Sequence, residues 1–130
     1  MAKTKATQTM IDEDFESQFK ISDYQRDLKA VESSSRQADK LLKEIAVISM
    51  ERQLECNTEE ERVSTLMHWL DVYQMAKGAY YDAVEVMGIY ASHISYYRQY
   101  GNLNPHCEEP KKTPSEIAES VKYIKETYCV

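Results

Sequence analysis

Read for the spacing of its apolar residues, the chain resolves into two long helical stretches and one short one. Tyr24, Leu28, Val31, Ala38, Leu41, Leu42, Ile45 and Ile48 follow one another mostly at steps of three and four, the period of a single helix face. Ser22 is a good N-cap, and Asp23 suits the positive end of a helix dipole. The pattern therefore predicts a first helix over about 22–55. Past Ala38 its stripe widens as Ala46, Val47, Met50 and Leu54 join. Ser33, Ser34 and Ser35 interrupt it, with Ser35 on the apolar seam. Serine competes with the backbone for hydrogen bonds, so this is the place where the helix would bend or break.

Asn57 and Thr58 form the turn. Thr58 followed by Glu61 is a capping box, and Glu59 and Glu60 add negative charge to the first turn. A second helix is predicted over about 59–100. Its seam reads Val63, Leu66, Leu70, Tyr73, Tyr80, Val84, Met87, Ala91 and Ile94, an alternating three-four step of coiled-coil type broken at Lys77. A second apolar line runs beside it through Met67, Trp69, Ala76, Ala79, Ala83, Val86, Tyr90 and Tyr97. Two adjacent lines make the helix apolar over a wide arc, which needs more than one neighbour to cover it. Gly78 and Gly88 weaken this helix and leave room for a close contact or a bend. Gly101 is placed as its C-terminal cap and Pro105 as a stop. Thr113, Pro114 and Glu116 then open a third helix over about 114–128, with Ile117, Val121, Ile124 and Tyr128 on its apolar face.

The predicted fold is all-α: a long antiparallel helical hairpin (about 22–55 and 59–100) plus a short C-terminal helix (about 114–128), of helical-bundle type. Composition agrees, because three glycines and three prolines in 130 residues cannot support many strands and hairpins. Residues 21–130 are read as one helical-bundle domain, and residues 1–20 as a flexible or docking N-terminal tail. In that tail Ile11, Phe15 and Phe19 sit at i, i+4 and i+8 among acidic residues, and Phe15 and Phe19 are the only phenylalanines. That spacing suits a short motif that folds on a partner. A single short third helix cannot cover the whole hairpin. Either a break at the serines folds helix 1 into two pieces, giving a compact four-helix monomer, or the apolar face of helix 2 pairs with another chain in a homo- or hetero-oligomer. The second is the expectation.

Charge and candidate chemistry narrow the function. The net charge is -6 and the pI near 5.1, which disfavours nucleic acid and anionic membrane surfaces as partners. Cys56, Cys107 and Cys129 are odd in number and include no C-x-x-C pair. With no apolar leader in view, they fit thiols in a reducing cytoplasmic, intracellular setting. His68 and His93 lie 25 residues apart, roughly 37 Å along one helix, too far to share a ligand. No H-E-x-x-H, E-x-x-H, P-loop or G-x-S-x-G occurs. The His106, Cys107, Glu108, Glu109 run lacks a second ligand group. No catalytic, cofactor-binding or metal residues are therefore assigned, and the protein is expected to be no enzyme. Cys107 beside His106 is read as an ordinary loop thiol, and Asp71, Asp82 and Glu85 as solvated or paired surface charge.

Tyrosine is the compositional outlier, with ten against two phenylalanines and one tryptophan. Tyrosine supplies apolar area together with a hydroxyl that needs water or a partner, and it is enriched at interfaces. The candidate partner-binding residues are accordingly Tyr90, Tyr96, Tyr97, Arg98 and Tyr100 at the end of helix 2, with Phe15 and Phe19 in the tail. Arg98 is placed to stack on one of those rings. The C-terminal Tyr128, Cys129 and Val130 form a weak signal for strand addition to a carboxylate-binding domain. The leading expectation is a non-enzymatic protein–protein interaction module, acting as a helical subunit, adaptor or filament-associated structural component. The alternatives are a small acidic inhibitor or decoy that binds a basic groove of a target protein, and a ligand-binding or enzymatic bundle with a pocket near His68, Trp69 and Tyr73.

Overall fold

In the computed structural model, which describes residues 5–106 and 108–129 and the side chains from Phe15 onward, the chain forms three helices in the order α1 (Lys5–Leu54), α2 (Glu59–Tyr100) and α3 (Pro114–Tyr128). Cys107 and Val130, which carried the loop-thiol and C-terminal readings, lie outside the described residues. The capping signals act as their chemistry requires. The Thr58 hydroxyl accepts from the Glu61 N–H at 3.2 Å, and the Glu61 carboxylate reaches back to the Asn57 N–H at 3.0 Å. Gly101 ends α2 in the left-handed region, φ 76°, with its N–H donating to the Tyr97 carbonyl. Thr113 caps α3, accepting from Glu116 N, with Pro114 in the first turn.

Helix 1 starts earlier than expected and stays whole at the serines, as the hairpin reading requires. It begins at Lys5 rather than at Ser22, and residues 5–20 continue it as helix. That segment contains no Gly or Pro, and a helix already held by packing at Ile21 and Tyr24 propagates at low cost. Helix 1 also runs unbroken through the three serines. Ser34, not Ser35, faces inward and is buried, while the Ser35 hydroxyl donates to the Glu32 carbonyl at 2.7 Å. That back-bond satisfies the polar group inside the helix instead of against it.

The hairpin core is a set of heptad-spaced layers. Ile21, Tyr24, Val31, Ala38, Leu41 and Ile45 of α1 are buried against α2. On α2 the buried line is Trp69, Val72, Ala76, Ala79, Ala83, Val86, Tyr90 and His93, at steps of three and four throughout. The second of the two predicted lines is thus the core line. The first, Val63 through Val84, faces mostly outward, and only Ile94 at its far end is buried. Small side chains decide between them: Ala38 on α1 and Ala76, Ala79 and Ala83 on α2 let the two backbones approach, which the bulkier Leu66–Leu70–Tyr73 line does not. Gly78 and Gly88 mediate no close contact, since a Cβ built on either meets nothing within 4 Å.

After Gly101 the chain turns back along the hairpin. Lys112 meets Asp82 midway along α2, at 2.6 Å, and α3 then runs antiparallel to α2 until Tyr128 reaches the ring of His68. Ile117, Val121 and Ile124 are buried against both long helices. This fills one of the two grooves of the hairpin and leaves the opposite one open.

Candidate interaction surface

The structure separates the predicted partner-binding residues. Tyr90 is a core residue, 4 % exposed, its ring 5.6 Å from that of Tyr24, so it presents nothing to a partner. It was assigned to the surface because it stands among the other tyrosines in sequence, but it occupies the buried heptad line. Burial, aided by the nearby Asp27, Tyr24 and Glu109, pushes its phenol above the usual tyrosine range. Tyr96 and Tyr97 are half-buried, and Tyr96 packs on the exposed Tyr100 at 4.5 Å. Phe15 and Phe19 are exposed and meet each other edge to face at 4.9 Å. Arg98 does not take the predicted place on a tyrosine ring. It lines a shallow groove with Leu28, Ala91 and Ile94, and among the described residues the cation–π contacts fall to Lys20 over Tyr24 and Lys77 over Tyr81.

The loop between α2 and α3 is fastened by a buried aromatic cluster. His93, 3 % exposed, stacks on Tyr24 with ring centroids 4.5 Å apart and planes 19° from parallel. Its Nε2 donates to the Glu108 carbonyl at 3.2 Å, and its Nδ1 is buried without a partner. The Tyr24 hydroxyl donates to the Glu109 carboxylate at 3.1 Å, and Lys20 lies 3.6 Å from the same group. The stack joins α1 to α2, and the contacts to Glu108 and Glu109 hold the loop to it, so the cluster is an anchor.

The largest concentration of unburied apolar side chains lies at the other end, around the hairpin turn. Leu66, Leu70 and Met50 are 45 %, 42 % and 65 % exposed, and Val47, Leu54, Val63 and Met67 are likewise exposed. Leu66, Leu70 and Met50 edge a solvent-open groove between α1 and α2 whose floor is Ile45, Trp69 and Tyr73. This is the groove that α3 does not fill. Its α2 residues Leu66, Leu70 and Tyr73 belong to the seam line of the sequence, part of the wide apolar arc that needs more than one neighbour. The sequence pattern does not tell which of the two α2 lines α1 takes; in the structure α1 takes the line through Ala76, Ala79 and Ala83 and leaves the seam line open. His68 is exposed and touches the rings of Trp69 and Tyr128.

Among the described residues no group of three His, Cys, Asp or Glu is placed to hold a metal ion, and no helix is long and apolar enough to cross a membrane. Cys56 is partly buried near Thr65, and burial raises the Cys129 thiol above its ordinary range. Asp82 is paired with Lys112, whose ammonium that hydrogen bond stabilises and whose titration it moves upward. No protein-family model, no curated protein and no solved structure matches the chain.

Proposed function

We propose that this chain is a non-enzymatic protein–protein interaction module, a helical subunit or adaptor that buries the open face of α2 against another protein chain. The observation that carries it is the apolar groove at the turn end of the hairpin, with Leu66, Leu70 and Met50 unburied along it and Met67 exposed nearby. Monomers in water seldom keep such contiguous apolar surface unless it has a binding role. The exposed methionines add adaptable, polarisable contact area of the kind found at binding surfaces. The net charge of -6 supports a second reading, a small acidic inhibitor of a basic target. Salt dependence separates the two, since an apolar interface tolerates salt and a charge-driven one does not.

The test is the native mass of the chain in extracts of its own cells, for wild type and for Leu66→Glu/Leu70→Glu. Both positions are solvent-facing, so the variant keeps its fold, checked by circular dichroism. The proposal expects wild type in an assembly heavier than the 15.1 kDa chain and the variant released from it. Equal, single-chain masses for both would refute it.

A further inference from the structure

The open groove has a property that points to its occupant: from Glu59 to Lys77 the outward line of α2, which continues to Val84, reads the same way in both directions. From the turn it runs Glu59, Val63, Leu66, Leu70, Tyr73, Lys77, at steps of four, three, four, three, four. These positions lie on one helix face. Laid antiparallel against itself about the midpoint between Leu66 and Leu70, the line pairs residues whose numbers sum to 136: Leu66 with Leu70, Val63 with Tyr73, and Glu59 with Lys77. Leucine meets leucine at the centre, apolar meets apolar on either side, and each end joins an acid to a base. A two-fold interface requires this self-complementarity, because the same patch serves both partners.

We propose that the groove is occupied by α2 of a second copy of this chain, packed antiparallel so that each α2 lies between the two helices of the other hairpin. The inference rests on the interaction-module reading and supplies its partner. Charge complementarity favours this occupant. Glu59 is exposed, and among the described residues Lys77 makes no ion pair, its ammonium resting over the Tyr81 ring at 5.7 Å. Within one chain the two are 18 residues apart on the same helix, about 27 Å, and cannot meet. Across the two-fold axis they meet twice. Size is consistent as well. A strip about 27 Å long and two helix diameters, about 20 Å, wide covers on the order of 500 Å² per chain. Roughly 1,000 Å² in total is the lower bound of a specific interface, so the dimer is reversible rather than obligate.

The experiment is sedimentation equilibrium of the full chain over a concentration series. Wild type is expected to move from 15.1 kDa to twice that mass, and Leu66→Glu, which places two acids at the centre of the interface, to remain single at every concentration. Glu59→Lys and Lys77→Glu are each expected to weaken the dimer about tenfold, since each turns two attractive rim pairs repulsive. A mixture of the two variants, or both changes in one chain, restores opposite charges at every pair and recovers wild-type affinity. No structural role of either residue produces that rescue. A wild-type chain that stays single at millimolar concentration, or a dimer in which the swapped charges fail to rescue, overturns the inference. If the purified chain is single while Leu66→Glu/Leu70→Glu still releases it from a native assembly, the second-copy inference fails and the interaction-module reading stands.

Discussion

The buried His93 sets up a substitution series in which two contributions of opposite sign separate. Replacing it with alanine removes a ring that is almost wholly buried and stacked on Tyr24. Large-to-small changes of an aromatic ring in a core cost about 3–5 kcal/mol, and loss of the Nε2 bond to the Glu108 carbonyl adds about 1 kcal/mol. Phenylalanine keeps the ring and the stack and loses the same hydrogen bond. It also removes the buried, unpartnered Nδ1, whose desolvation costs about 1–3 kcal/mol. Glu108 is exposed, so its carbonyl turns to water. The Phe variant therefore lies within about 1 kcal/mol of wild type, while His93→Ala, which gains the same relief at Nδ1 but loses the ring, loses about 3 kcal/mol. Urea denaturation of both variants measures the difference directly. Amide hydrogen exchange tests the anchoring role, since loop 101–113 is expected to lose protection in His93→Ala before the hairpin core does. If His93→Phe proves as damaging as His93→Ala, the polar contact rather than the stacked ring holds the loop, and the reasoning fails.

Two further expectations follow from the backbone and from titration. Gly78→Ala and Gly88→Ala should each stabilise by about 0.5–1 kcal/mol, because both sit inside α2 and a Cβ meets nothing there, whereas Gly101→Ala, at φ 76°, should cost about 1 kcal/mol or more; thermal melts read all three. Stability should decline as pH rises above about 9, because folding raises the titration of the Cys129 thiol, the Tyr90 phenol and the Lys112 ammonium. In that window the folded chain holds protons that the unfolded chain has released, so unfolding gains from each further step in pH. Tyr90→Phe should flatten the decline measured by chemical denaturation from pH 9 to 11.

The helices and their ends were legible because their causes are local. Thr58 with Glu61, Thr113 with Pro114 and Glu116, and Gly101 each act within one helical turn, and each caps where its chemistry indicates. The start of α1 was not legible, since Ser22 carries a cap signal and yet lies inside a continuous helix. A good N-cap residue stabilises a terminus but does not compel one. The choice between the two α2 lines was hidden for another reason. Both have helical spacing and similar apolarity, and what separates them is close approach at Ala76, Ala79 and Ala83, a property of the pair of helices. The same ambiguity misplaced Tyr90. Clustering of tyrosines along the sequence says nothing about which way each faces, and one of seven crowded into helix 2 turned inward.

The face left open follows from the geometry of the third helix. α3 has 15 residues against 42 in α2, so it spans about 22 Å of a helix about 63 Å long, and it lies in one groove only. On the opposite side the two ends of the hairpin meet water differently. Away from the turn, Met87 is half-buried and Ile94 buried, with Leu28 of α1 packed in the same cluster. Toward the turn, α1 offers Ala46, Ser49 and Gln53 to the groove, Ile45 lies in its floor and Met50 stays 65 % exposed at its edge, so Leu66 and Leu70 are left unroofed. The deficit of cover runs on to Val84, 44 % exposed, but its densest part is the segment from Glu59 to Lys77. A partner that covered that segment needs no more than five turns of helix, apolar at its centre and of opposite charge at its two ends. The α2 stripe of a second copy has that length and that pattern.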